Sequence, residues 1–157
     1  MEYMHIALRE AEKAGARGDQ PVGAVLVAGT DFVVGSNRIA SSANPVLHAE
    51  VDAILRAVES GLTLVGARLF STVESCYMCL GAILNAGISE LIYGISLRDI
   101  HPEERFRARY GGYSCATMLE LLGRTDERFV LTGGVDAGDC LAVWDRYRDA
   151  GWNAFLR

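Results

Sequence analysis

Apolar residues recur along this chain at two periods, and the switches between them divide it into elements. Tyr3, Ile6, Ala7, Ala11 and Ala14 follow helical spacing, which predicts a helix over 2–15 stopped by Gly15 and Gly18. "VGAVLVA" (22–28) is a β-branched run, "GTD" turns it, and "FVVGSN" (32–37) follows, so this stretch reads as a β-hairpin. "IASSANPV" (39–46) is a polar loop, and "HAEVDAILRAVES" (48–60) has apolar residues at 51, 54, 55 and 58, a one-faced helix. A strand over 67–73, a helix over 77–87 ending at Gly87 and a strand over 90–95 come next. The charged segment 96–114 reads as a Gly-containing loop. A helix over 115–123, a fifth strand over 128–133 and a last helix over 136–151 complete the order αββαβαβαβα. Strands alternating with helices imply one α/β sheet covered on both faces. A helix between strands four and five suits a parallel pairing of those two.

With 157 residues, one domain over 1–157 is expected, long enough to bury a core without disulfides. The net charge of −5 supplies no overall field toward nucleic acid. The N-terminal "MEYMHIALREAEKAGARG" carries acids and no long apolar core, so it reads as neither signal peptide nor membrane span. The other apolar runs are far shorter than the ~20 residues a membrane helix needs. A cytoplasmic location is the expectation. Cysteines stay reduced there, and a C-x-x-C pair points to metal or redox chemistry rather than a disulfide.

The chain has only three histidines and four cysteines, yet one His and two Cys sit just ahead of apolar helical runs. "LHAEVDA" begins at Leu47 and "VESCYMCLGA" at Val73. In this reading His48 opens one helix, and Cys76 and Cys79 open the next. Cysteines at i and i+3 share a helix face, so one ion can reach both sulfurs. Helix N-termini favour the thiolate, the form that binds metal. Two S ligands and one N ligand suit one Zn²⁺ per chain, with a fourth position left for water whose pKa zinc lowers to roughly 7. Glu50 need not be a ligand. A carboxylate beside such a water can take its proton and pass it to a leaving group.

Plain alternatives exist for each residue. C-x-x-C alone is a structural half-site or a redox pair in many proteins. A structural site would need a fourth ligand from His5, His101, Cys115 or Cys140, none of which shows a paired spacing, and a redox pair would leave His48 and Glu50 idle. Asn37 has an ordinary role available as the tie at a strand end. Cys115 and Cys140 read as small core residues, His101 as a solvated loop residue, His5 as a helix residue without chemistry, and Trp144 as part of the core. Segment 101–113 is either a solvated loop or a substrate lid.

H-x-E followed by C-x-x-C is the pattern of the zinc nucleobase deaminases, and the chain resembles the cytidine/deoxycytidylate deaminase superfamily over nearly its whole length. The resemblance rests on "PVGAVLV" (21–27), "SN" (36–37), "HAE" (48–50), "CYMCLGAIL" (76–84), "LIYG" (91–94) and "LTGGVDAGDC" (131–140). It is strongest to the branch of guanine deaminases, fungal-type cytosine deaminases and tRNA adenosine deaminases. The resemblance implies a three-layer α/β/α cytidine-deaminase-like fold, with a five-stranded mixed sheet whose first two strands form a hairpin and whose last two are parallel. It implies hydrolytic replacement of a ring amino group with loss of ammonia. It gives His48, Cys76 and Cys79 the ligand roles and Glu50 the proton shuttle. Asn37 matches a residue that holds the base or sugar, and Ala49 a position whose backbone N–H meets a ring acceptor. Where the family carries proline, this chain has Ser75, expected to act as an N-cap and to reshape the pocket wall. Trp152 or Phe155 matches a C-terminal aromatic that closes the pocket.

Three substrate readings follow. The first is a small amino-heterocycle such as guanine or cytosine, or its nucleoside, handled by a homodimer. The second is a tRNA wobble adenosine. The third is a non-catalytic zinc-binding partner subunit, which would have no use for Glu50. A tRNA substrate calls for clustered cations. Residues 96–113 hold four arginines against three acids, and "GISLRDI" stands where the tRNA enzymes carry a Gly-Ala-Arg-Asp stretch. The small-molecule reading therefore ranks first.

Overall fold

A computed structural model describes residues 2–124 and 128–149. In chain order the elements are α1 (Glu2–Ala16), β1 (Gly23–Ala28), β2 (Asp31–Ser36), α2 (Ala49–Glu59), β3 (Arg68–Val73), α3 (Tyr77–Asn85), β4 (Glu90–Ile95), α4 (Leu97–Ile100), α5 (Glu103–Tyr110), α6 (Cys115–Leu121), β5 (Val130–Thr132) and α7 (Ala137–Tyr147). The sheet order is β2-β1-β3-β4-β5. β1 is antiparallel to both β2 and β3, whereas β3, β4 and β5 run parallel. The sheet is thus mixed, with an N-terminal hairpin and a parallel C-terminal pair, as expected from the helix that joins its last two strands.

Helices cover both faces. α1 packs beside α7, while α2 neighbours α3, which neighbours α6. Two glycines show how closely the layers meet. A Cβ on Gly23 would collide with the Ala7 carbonyl of α1, and one on Gly35 with the Ala49 carbonyl of α2. Each strand can lie directly on its helix there because the residue has no side chain. β1 is buried along nearly its whole length, which explains why it reads as a continuous apolar run rather than an alternating one. Val25, Leu26, Leu69, Leu91, Leu80 and Ile83 lie in the centre of the core.

Segment 96–114 corrects the expectation of a loop: it folds into α4 and α5. Ser96 caps α4 reciprocally with Asp99, and Pro102 stands at the N-cap of α5. Glu103 and Arg107 pair at 2.7 Å across one turn of α5. Phe106 is its only buried residue, so no apolar stripe marks the helix in the sequence. Among the described residues, no helix is long and apolar enough to cross a membrane.

Candidate active site

Two helices begin at the same place in space, and the site lies between their N-termini. His48 is the N-cap of α2 (φ −71°, ψ 162°) and Cys76 the N-cap of α3 (φ −69°, ψ 168°), in nearly the same extended geometry. Neither side chain caps its own helix, which leaves both free to face a common point. Cys79 lies one turn into α3 and is fully buried. The ligand atoms of His48, Cys76 and Cys79 all fall within 4.8 Å of one another. His48 Nδ1 is 3.7 Å from Cys76 Sγ. The edge of a tetrahedron with ordinary Zn–N and Zn–S lengths is about 3.6 Å, so the set fits a zinc ion with one corner open. A hydrogen bond from Cys79, reinforced by His48, pulls the Cys76 thiol well below its usual range.

Glu50, two residues into α2, is 3 % exposed. Burial, and then the negative charge on Cys76, raise its carboxyl above the ordinary carboxylate range. The Ser75 hydroxyl donates to its Oε1 at 2.7 Å. This corrects the N-cap expectation: Cys76 occupies the cap, and the Ser75 side chain turns to Glu50 instead. Ser75 is itself fully buried and does not line the cavity. Its carbonyl accepts a hydrogen bond from the Tyr113 hydroxyl at 2.8 Å, which braces the backbone leading into Cys76.

Glu50, His48 and Cys76 form part of the wall of a small cavity of about 40 Å³, partly open to solvent. Asn37, 1 % exposed, lines it too. Asn37 Oδ1 accepts from the Ile39 N–H at 3.1 Å, the ordinary strand-end tie. Its Nδ2 donates to Gln20 Oε1 at 3.5 Å. Ala49 is fully buried between His48 and Glu50 and does not line the cavity. Trp144 is core, at 4 % exposed, and also cavity wall. Trp152 and Phe155 lie outside the described residues.

His101 corrects the solvated expectation. It is half-buried, lines the cavity and lies 5.5 Å from the Tyr110 ring. The sequence reading assigns no role to Gln20 or Glu74, and places Arg109, Tyr110 and Tyr113 only within the segment 101–113 read as either a loop or a lid. Glu74 is a buried carboxylate that accepts from the Leu97 N–H at 3.1 Å and the Cys115 N–H at 2.8 Å. It therefore pins the starts of α4 and α6 to the end of β3. The one clue to it in the sequence is an acid at the end of an apolar strand, directly before the cysteine motif.

Residues 1–95 match the cytidine and deoxycytidylate deaminase zinc-binding region. The chain belongs to this family. A tRNA-specific adenosine deaminase of Streptococcus pyogenes serotype M1 is 31% identical over 148 residues, 92% of this chain and 81% of the relative. A solved tRNA:A34 deaminase superposes with a TM-score of 0.69 at 28% identity, covering 90% of this chain and 98% of the other. A guanine deaminase from Nitrosomonas europaea shares the fold, with a TM-score of 0.71 at 20% identity over 92% of this chain and 82% of its own. The family makes the chain a zinc-type hydrolytic deaminase.

Proposed function

We propose that this deaminase acts on a small amino-heterocycle, a nucleobase-like ring or its nucleoside, converting R–NH₂ and water to the ring oxo product and ammonia. The observation that carries the reading is Glu50, a nearly buried carboxylate beside three metal-competent side chains in the wall of a cavity. His48, Cys76 and Cys79 would hold zinc, whose Lewis acidity makes water a nucleophile source at neutral pH. Glu50 holds the proton, because its raised affinity lets it accept one from water and release it to the departing amino nitrogen. Ser75 fixes the orientation of that carboxylate. Asn37 offers its amide N–H to a ring or sugar acceptor, and Tyr110 and Trp144 supply apolar walls for a flat ring.

Charge supports a small substrate. Arg98 and Arg107 both reach Glu103, at 3.8 and 2.7 Å, which uses up two of the four arginines in the segment over the cavity. A second reading, a tRNA wobble adenosine, is favoured by the 31% identical relative and by the 28% identical structure. Two catalytic thiols suit a reducing compartment such as the cytoplasm.

The test is ammonia release over one panel holding guanine, cytosine, adenine, their nucleosides and an adenosine-34 anticodon stem-loop, with Glu50→Ala as the blank. Turnover of a base or nucleoside with a silent stem-loop is expected. Turnover of the stem-loop alone replaces the first reading with the second.

A further inference from the structure

Two charged residues that do not line the cavity hold the turn that carries Asn37. Arg17 and Asp19 follow α1, and neither is part of the cavity wall. Asp19 is fully buried, an uncommon place for a carboxylate, and both of its oxygens are engaged. Oδ1 accepts from the Ala40 N–H at 2.9 Å and the Ser41 N–H at 2.8 Å, and Oδ2 accepts from Arg17 Nε at 2.8 Å. Arg17 turns the other end of its guanidinium to the end of β2. Its Nη2 donates to the Asn37 carbonyl at 2.9 Å and to the Ser36 hydroxyl at 3.2 Å. One guanidinium and one carboxylate thus grip the chain at residues 36–37 and again at 40–41. Between the two grips lies the tie that orients the Asn37 side chain. Asn37 Oδ1 accepts from the Ile39 N–H at 3.1 Å, so the amide follows that N–H. The place of the Ile39 N–H depends in turn on the peptides to either side, which Arg17 and Asp19 fix. The far end of the same loop is held separately: the Arg38 N–H donates to the Leu47 carbonyl at 3.0 Å, one residue before His48.

We propose that Arg17, seated by Asp19, is a positioning residue for substrate recognition: its guanidinium fixes the Asn37 carbonyl and thereby aims the Asn37 amide at the acceptor on the substrate. The proposal rests on the reading that Asn37 holds substrate in the Glu50 cavity. Fork geometry matters here more than charge. Nε and Nη2 bridge Asp19 and Asn37 at once, which an ammonium with all its donors on one nitrogen does not reproduce. A group held ready in this way acts on binding, because a contact made equally in the ground state and the transition state changes KM and leaves kcat. Arg17 is also the member of the pair that separates positioning from stability. Its side chain is 36% exposed, so shortening it opens no core cavity, and Asp19 keeps its two backbone N–H donors.

The experiment compares zinc-loaded wild type, Arg17→Met and Arg17→Lys on whichever member of the ammonia-release panel is turned over, and repeats both changes in an Asn37→Ala background. The expected result is a KM about tenfold higher in both Arg17 variants, with kcat within about twofold and zinc content retained. With Asn37 already removed, the same changes should add less than about twofold, because the group they position is gone. An Arg17→Lys that matches wild type overturns the proposal. So does an equal effect in the Asn37→Ala background, or a loss carried by kcat or by zinc, and each makes Arg17 a support of the fold alone. If Arg17→Met does not fold, Arg17→Lys decides, since it keeps the charge and gives up the fork. A readout without turnover keeps this outcome apart from that of the function reading. In protein isotopically labelled at asparagine, the Asn37 side-chain amide is the magnetic-resonance signal missing from Asn37→Ala. A shift or broadening of that signal in the Arg17 variants supports the brace even where every small heterocycle is inert, a result that sinks the small-substrate reading instead. An unmoved signal overturns the brace whatever the activity.

Discussion

Ser75 and Glu50 form a pair in which one hydroxyl tunes one proton. The hydroxyl stabilises the ionised carboxylate, against the burial and the Cys76 charge that favour the protonated form. Ser75→Ala therefore raises the pKa of Glu50 further. The acidic limb of the pH–rate profile should move to higher pH, and kcat near neutrality should drop several-fold while KM holds, which steady-state kinetics across pH 5–9 checks. An unmoved limb would make the contact structural only. Glu50→Ala is the harsher change. Zinc content by elemental analysis and the melting curve should survive, while ammonia release falls by about 10²–10⁴. Cys79→Ala should lose the expected zinc ion together with activity, because the removed thiolate is one corner of the coordination set.

Two helix starts, α2 and α3, carry the reactive side chains, and the sheet decides how far apart those starts lie. Gly35 is the control point. It permits β2 to lie against the Ala49 carbonyl, at the first residue of α2 and one residue before Glu50. Gly35→Ala forces that turn outward and displaces His48 and Glu50 from the cysteines, which stay anchored on α3. We expect weaker zinc retention against a chelator in this variant, beyond any loss of melting temperature, as titration with a competing zinc dye would read. The starts of α4 and α6, both tied to Glu74, position the cover over the cavity in the same indirect way.

At the scale of the whole molecule, Asp19 stitches the end of α1 to the loop after β2. It accepts from the Ala40 and Ser41 N–H groups at 2.9 and 2.8 Å and from Arg17 at 2.8 Å, and Arg17 continues to the Asn37 carbonyl at 2.9 Å. Burial works against its ionisation, but the hydrogen bonds from Ser41 and the Arg17 charge outweigh it and hold the carboxyl below its usual value of 3.8. A carboxylate whose pKa is depressed in the folded state stabilises the fold above its unfolded pKa and loses that contribution as pH falls through the folded value. Asp19→Asn should therefore cost about 1–3 kcal/mol at pH 7. The gap to wild type should close below about pH 3.8. Urea unfolding at both pH values measures it, and a gap independent of pH would remove the charge argument.

Much of this was legible along the chain because it is written in local terms. Periodicity marked the five strands and five of the seven helices of the described residues; H-x-E and C-x-x-C marked the candidate metal set and Glu50, since each motif's spacing places its own side chains at one helix start, while the sheet brings the two starts together. α4 and α5 stayed hidden because a helix held by caps, an i,i+4 ion pair and one buried phenylalanine has no apolar stripe to read. The same limit applies to the pocket. Asn37, His101 with Arg109, and Trp144 come from three separate stretches of the chain, and only the tertiary fold brings them into one cavity wall. Ser75 shows the difference at a single residue: its place before the cysteine motif predicts a helix cap, and its contact with Glu50, 25 residues away, makes it a partner of that carboxylate. Chemistry carried by neighbours in sequence is settled before folding. Recognition, which needs groups from distant segments to converge on one small volume, is settled by the tertiary structure.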